Sequence, residues 1–161
     1  MTIQATGVQP IDSNTNGFVY NHTMLRVKDP VKSLEFYTGV LGMSLVRLSK
    51  NPENEFDLYF LAKLTPEELD NLPTGDELMR WVSRQRGILE LTHNYGTEND
   101  PDFSYHNGND EPKGFGHICF AVPDLAKAVT WFDKNNVAFQ KRPEEGNMKD
   151  IAFILSLIHI W

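Results

Sequence analysis

One sequence pattern occurs twice in this chain, and the duplication limits the possible folds more than any other feature. The run His22–Tyr37 (HTMLRVKDPVKSLEFY) aligns with the run His117–Phe132 (HICFAVPDLAKAVTWF). In each copy a histidine opens an alternation of period two, and an aspartate then precedes apolar residues spaced three and four apart. Each copy therefore predicts a strand followed by an amphipathic helix, with Asp29 or Asp124 as the N-cap.

The segments that follow each copy predict further strands. Residues 18–27, 43–48, 55–62 and 87–93 have strand patterns in the first half, and a Thr-Pro-Glu-Glu helix start follows at 65–68. The second half has strand patterns at 114–122, 137–141 and 150–155. We therefore predict an α+β fold of paired βαβββ modules: a flexible tail at 1–17, one module at 18–96, a linker at 97–113, and a second, incomplete module at 114–161.

Composition and charge favour small-molecule chemistry. The net charge of −7 and the pI near 5.2 argue against non-specific binding to nucleic acid or to an anionic membrane, which needs a concentrated basic field. A single cysteine, Cys119, excludes an intramolecular disulfide, and no apolar run approaches the twenty or so residues that span a bilayer. The amino terminus lacks the pattern of a secretory signal. We expect a soluble cytoplasmic protein.

Three residues form the candidate reactive group. His22 and His117 occupy equivalent places in the duplication, and Glu90 lies in the middle of an apolar strand, where a carboxylate is costly unless a charged group meets it. Two imidazoles and a carboxylate that converge between the modules would make a metal site with open positions, suited to zinc, nickel, iron or another divalent ion. The alternative is that each side chain is an ordinary hydrogen-bonded structural residue.

Five motifs in order resemble the glyoxalase I family, the lactoylglutathione lyases of the vicinal oxygen chelate superfamily. They are NHTMLRVKDPVKSLEFYTGVLGMSL, DLYFLA, LELTHNYGTE, SYHNGNDEPKGFGHICFAVPD and KRPEEGNMKDIAFI, and the resemblance covers residues 18–154. The length between Leu64 and Gly87 is like that of the longer form of the family. The resemblance implies paired βαβββ modules in an eight-stranded, cupped mixed sheet, commonly in a homodimer whose active sites lie between modules of different subunits.

The resemblance also implies roles for individual residues. The metal ligands would be His22, Glu90 and His117, around one zinc or nickel ion per site. The residues that match substrate-binding positions are Arg26, Asn94, Lys113 and Lys141 for glutathione, and Phe56, Leu58 and Met148 for the methylglyoxal end. The implied reaction isomerises the hemithioacetal of glutathione and methylglyoxal to S-D-lactoylglutathione through an enediolate.

The sequence departs from the family pattern after Ile154. The family carries its fourth ligand, a glutamate that is also the principal base, in a strand just after a motif like AFI, whereas this chain has LSLIHIW at 155–161. The ending resembles that of a truncated or frame-shifted gene, so the last strand is expected to be missing or altered. Glu90 then remains as the candidate catalytic base, and we expect weak or no isomerase activity from the chain as written.

Two alternatives come from the same superfamily. Two histidines and one glutamate also describe the iron site of extradiol dioxygenases and the sites of fosfomycin-resistance enzymes. A third interpretation is a binding module without catalysis, as in bleomycin-resistance proteins, which needs no metal.

Overall fold

A computed structural model describes residues 5–156 of the chain, so the expectation that the last strand is missing or altered concerns residues outside the described part. The first half forms a four-stranded mixed sheet in the order β1-β4-β3-β2, and the second half contributes a two-stranded sheet. The elements are β1 His22–Val27, α1 Pro30–Leu34, β2 Ser44–Asn51, β3 Phe56–Ala62, α2 Pro66–Asp70, α3 Gly75–Arg84, β4 Ile88–Asn94, α4 Leu125–Lys134, β5 Phe139–Lys141 and β6 Phe153–Ile154.

The helix after β1 begins where the sequence predicts. The Asp29 carboxylate accepts hydrogen bonds from the backbone N–H groups of Val31 and Lys32, and Pro30 occupies the first helical position. Helix α1 continues into a π-helical segment, Glu35–Val40. Gly42, at a φ of +63°, ends the run in the left-handed region that glycine adopts without strain.

The parallel pairing of β1 with β4 defines the two faces of the sheet. Met24 lies opposite Glu90 and Leu25 lies opposite Leu91 in this register. Because successive side chains alternate across a strand, one face carries the apolar residues that pack against the α1 segment, and the other carries His22 and Glu90. The buried core on the helix side consists of Leu25, Val27, Phe36, Tyr37, Met43, Leu61, Leu89 and Leu91.

Helix α3 covers one end of the opposite face. Its residue Val82 is buried against Ile88 and Phe60, and Trp81 packs at the margin of this second cluster. Helix α2, which precedes it, begins with a capping box between Thr65 and Glu68. Farther along that face the side chains of His22, Met24 and Arg26 are exposed to solvent.

The second half follows the duplication only in part. Asp124 caps α4 as predicted, β5 and β6 pair antiparallel, and the Trp131 indole N–H donates to the Val40 carbonyl oxygen at 2.8 Å, which joins the two halves. The prediction of a strand over 114–122 is wrong, because those residues pair with no other strand. The equivalent strand of the first half, β1, pairs with β4, and within the described residues the second half has no strand that corresponds to β4.

One further boundary differs from the sequence expectation. The first strand begins at His22 and not at Phe18, which is 78% exposed. The segment expected to be a flexible tail contains a 3-10 turn at Ser13–Thr15, held by the Asp12 side chain. No helix in the described part of the chain is both long and apolar enough to cross a bilayer.

Candidate active site

His22 and Glu90 meet on the open face of the four-stranded sheet. The His22 Nε2 atom lies 3.2 Å from Glu90 Oε2, and the Glu90 side chain is only 12% exposed. Neighbouring strands place Met24 and Phe60 opposite Glu90 on its two sides. The carboxylate therefore lies between apolar neighbours and has an imidazole nitrogen as its closest polar contact.

The distance between these two donor atoms fits a shared divalent metal ion. Metal–nitrogen and metal–oxygen bonds near 2.1 Å place two donors on one ion roughly 2.9–3.4 Å apart for angles between 90° and 110°. The separation of 3.2 Å between His22 Nε2 and Glu90 Oε2 falls in that range without any movement. The geometry of the pair is therefore compatible with two ligands of one divalent ion.

Arg26, whose guanidinium is hydrogen-bonded, lies farther along the same face. The Arg26 guanidinium donates to Asn94 Oδ1 at 2.7 Å, and the Tyr105 hydroxyl donates to the same oxygen at 3.4 Å. Burial raises the pKa of the Tyr105 hydroxyl, so it remains a neutral donor. Arg26 is exposed, and a guanidinium that is hydrogen-bonded on one side suits a carboxylate of a ligand on another.

Strand β3 supplies an apolar wall beside the pair. Phe56 and Leu58 lie opposite Asn94 and Thr92 of β4, so they share the face of Glu90. Sequence reasoning missed Phe60, which continues the same alternation by two residues. Its ring contacts the His22 ring edge-on at a centroid distance of 6.3 Å.

Arg47 is a second residue that sequence reasoning missed. It lies opposite Phe60 in the pairing of β2 with β3, and its guanidinium lies 5.3 Å from the centroid of the Phe60 ring. A β-bulge between Leu45 and Arg47 shifts the register there. No signal in the sequence marks that bulge.

His117 does not join the pair within one chain. Its ring contacts Phe153 at 5.6 Å and lines an apolar cavity of about 420 Å³ together with Phe36 and Tyr37. The latter two belong to the core on the opposite face of the first sheet. Between residues 5 and 156 no three His, Cys, Asp or Glu side chains group as a metal site. One chain thus brings together two of the three predicted ligands.

The other predicted binding residues of the second half also lie apart from the pair. The Lys141 ammonium donates to the carbonyl oxygens of Arg142, Met148 and Ile151, so it holds the loop that follows β5. The Met148 side chain is 58% exposed on that loop. Lys113 is 73% exposed, with Glu111 at 3.9 Å.

A second histidine–glutamate pair lies on the opposite face. His93 is buried, and its Nε2 atom lies 2.7 Å from Glu98 Oε2. Hydrogen bonds from the Glu98 backbone N–H and from His93 lower the pKa of the Glu98 carboxyl. Nearby, the Tyr95 hydroxyl donates to the buried Asp57 carboxylate at 2.7 Å, which raises the pKa of Tyr95 to about 12. The His93–Glu98 pair anchors the turn after β4.

Comparison with known proteins identifies the family. The model of the Glyoxalase/Bleomycin resistance protein/Dioxygenase superfamily matches residues 19–157. A lactoylglutathione lyase of Pseudomonas putida is 51% identical over 144 residues, which cover 89% of this chain and 82% of that protein. This chain belongs to the lactoylglutathione lyase family. The enzyme of the same name from Pseudomonas aeruginosa is also 51% identical, over 89% of this chain and 79% of its own length.

Solved structures agree with this membership. A glyoxalase I of Leishmania major, described as trypanothione-dependent, has a TM-score of 0.63 and 30% identity; the match covers 88% of this chain and 81% of that chain. A Zea mays glyoxalase I has the same TM-score at 24% identity, over 88% of this chain and 42% of its own, and supports the fold alone. The fold class predicted for this lactoylglutathione lyase family chain is confirmed.

Proposed function

We infer that this protein is a lactoylglutathione lyase, which isomerises the hemithioacetal of glutathione and methylglyoxal to S-D-lactoylglutathione. The observation that carries the inference is the His22–Glu90 pair, at metal-ligand separation, on the same open face as the Arg26–Asn94 pair. The first pair suits a divalent ion, and the second suits the charged end of glutathione. The name lactoylglutathione lyase, which both Pseudomonas relatives carry, supports this substrate.

The residues have separate tasks in the proposed reaction. A bound divalent ion would supply Lewis-acid polarisation of the substrate oxygens. Glu90 takes the carbon-bound proton and returns it to the neighbouring carbon, and its apolar neighbours Met24 and Phe60 limit the water around it. Arg26 and Asn94 orient the glutathione portion. Phe56 and Leu58 are proposed to line the methylglyoxal end.

We propose that two copies of the chain complete each site. His22 and Glu90 lie on one sheet, whereas His117 lies on the far side of the first-half core, so a second copy can supply the missing imidazole where one chain does not. In such a homodimer, Lys113, Lys141 and Met148 would come from the partner subunit together with His117. Lys141 would exchange its three carbonyl contacts for glutathione.

A mixed dimer tests this arrangement. In a two-chain site, pairing a His22→Ala chain with a His117→Ala chain gives one doubly damaged site and one intact site. Random pairing makes half of the dimers mixed, so about a quarter of the sites should recover. We expect the mixture to regain that share of zinc binding and turnover, whereas each variant alone has none. A mixture as inactive as its components would refute the two-copy site.

The metal and the cell compartment are further proposals. His22 and Glu90 suit zinc or nickel equally by their donor atoms, so parallel addition of each ion to metal-stripped protein decides between them. Oxygen consumption with catechols and ferrous ion would instead favour the dioxygenase alternative.

The acidic composition and the single cysteine support a cytoplasmic location.

A further inference from the structure

We propose that Asn21 is a positioning residue that fixes the tautomer and ring orientation of His22 and is itself held by the carboxyl end of α3. The proposal rests on the metal site inferred above, because it concerns which His22 nitrogen faces the metal position. It assigns a role to a residue outside the predicted ligand and substrate sets. It also gives the segment between β3 and β4 a function at the site.

The orientation of the Asn21 amide follows from its neighbours. Its Nδ2 group donates to the carbonyl oxygens of Val82 at 2.7 Å and Gln85 at 2.9 Å. Both carbonyls lie at the carboxyl end of α3: Gln85 is its C-cap residue, and the Val82 oxygen also accepts from the Gln85 N–H at 3.2 Å. The reversed amide would place Oδ1 against two carbonyl oxygens, so only this orientation satisfies the contacts.

The main chain of Asn21 is held as well. The Ile88 N–H donates to the Asn21 carbonyl oxygen at 3.0 Å, which extends the pairing of β1 with β4 by one residue. The residue is also half-buried. Asn21 is thus fixed by β4 through its backbone and by α3 through its side chain.

The fixed amide determines the protonation pattern of the His22 ring. Asn21 Oδ1 lies 2.7 Å from His22 Nδ1, and an amide oxygen can only accept, so Nδ1 carries the proton. In a neutral ring Nε2 then presents its lone pair toward Glu90, 3.2 Å away. Because a carboxylate only accepts, a cation between the two atoms would satisfy both. Hydrogen bonds of this kind orient metal-binding histidines and raise their basicity.

Two substitutions separate the acceptor from the tether. Asn21→Ala removes both the Oδ1 acceptor and the two contacts with α3. Asn21→Asp keeps an oxygen that accepts from His22 Nδ1 but loses both donors, and its charge faces the carbonyls of Val82 and Gln85. If the acceptor matters, the two variants differ at His22. If Asn21 only holds α3, they behave alike.

The first readout is the tautomer of His22, from the nitrogen shifts of ¹⁵N-histidine-labelled, metal-stripped protein in alkaline buffer. His22→Ala identifies the signal. We expect a protonated Nδ1 in the wild type and in Asn21→Asp, and a shift toward the ring protonated on Nε2, which hydrogen-bonds Glu90, in Asn21→Ala. An unprotonated Nδ1 in the wild type, or the same protonation pattern in Asn21→Ala as in the wild type, would overturn the proposal whether or not metal binds.

The second readout is zinc affinity, measured by competition with a chelator. We expect Asn21→Ala to weaken zinc binding about 10- to 100-fold, the usual effect of removing such a hydrogen bond, while Asn21→Asp binds within a few-fold of the wild type or tighter. Equal losses in both variants would assign Asn21 to the α3 tether alone. A wild type that binds no zinc would refute the proposed function, and the tautomer measurement would still decide the role of Asn21.

Discussion

The substitution Glu90→Gln removes the charge that faces His22 and keeps the size of the side chain. In metal-free protein we expect the free energy of unfolding to change by less than about 1 kcal/mol, because the amide N–H can donate to the His22 Nε2 lone pair at the observed 3.2 Å separation. The effect should appear when zinc is present. The zinc ion then loses a charged ligand. Removing a residue that only hydrogen-bonds a metal ligand already lowers metal affinity about 10- to 100-fold, so a comparable or larger loss is expected here.

The expected size follows from mass action. Zinc at 100 times its dissociation constant stabilises the wild type by about 2.7 kcal/mol, and a 100-fold weaker site retains about 0.4 kcal/mol at the same concentration. For a chain of this size about 1 kcal/mol moves the melting temperature by about 2–4 °C. Calorimetry of stripped protein with added zinc should therefore show a shift of roughly 5–11 °C in the wild type and about 1–2 °C in Glu90→Gln.

The chain offers its own matched control. Glu98 pairs with His93 at 2.7 Å on the opposite face, so Glu98→Gln makes the same chemical change in a second histidine–glutamate pair. We expect Glu98→Gln to retain the full zinc shift. Equal zinc shifts in the wild type and in Glu90→Gln would refute the assignment of Glu90 as a ligand.

Three further variants test the charges around the site and the turn. Arg26→Ala should raise the KM for the hemithioacetal about tenfold or more and leave kcat nearly unchanged, because a charged hydrogen bond contributes about 1.5–3 kcal/mol; a fall in kcat alone would contradict a binding role. The pKa of Glu98 is lowered in the folded state, so its contribution to stability is present above the ordinary glutamate pKa and is lost as the pH falls through the folded value; acid titrations of unfolding should flatten in Glu98→Gln. The pKa of Tyr95 is raised from 10.0 to about 12, so stability should fall as the pH rises through that interval, and Tyr95→Phe should remove this loss.

Local patterns in the sequence predict the first module well. The N-caps Asp29 and Asp124 start their helices as expected, because capping depends on neighbours within three residues. The alternation of side chains along β3 places Phe56 and Leu58 on the face of Glu90. The same alternation, followed two residues farther, would have identified Phe60. The parallel pairing of β1 with β4, which brings His22 to Glu90, is a long-range contact that the pattern alone does not encode.

The sequence is less informative where structure depends on a distant partner. The alternation over 114–122 resembles that of β1, but a strand forms only beside another strand, and the described residues provide none there. Asn21 acquires its role from two carbonyls at the end of α3, so no local motif marks it. His117 was expected to converge with His22 and Glu90, but within one chain it lies against Phe153.

The most direct test of the central claim is the formation of S-lactoylglutathione from glutathione and methylglyoxal by metal-stripped protein, before and after zinc or nickel is added. We expect product only after metal addition, and no product from Glu90→Gln or His22→Ala. Product formation that is equally fast without metal or in Glu90→Gln would contradict the account.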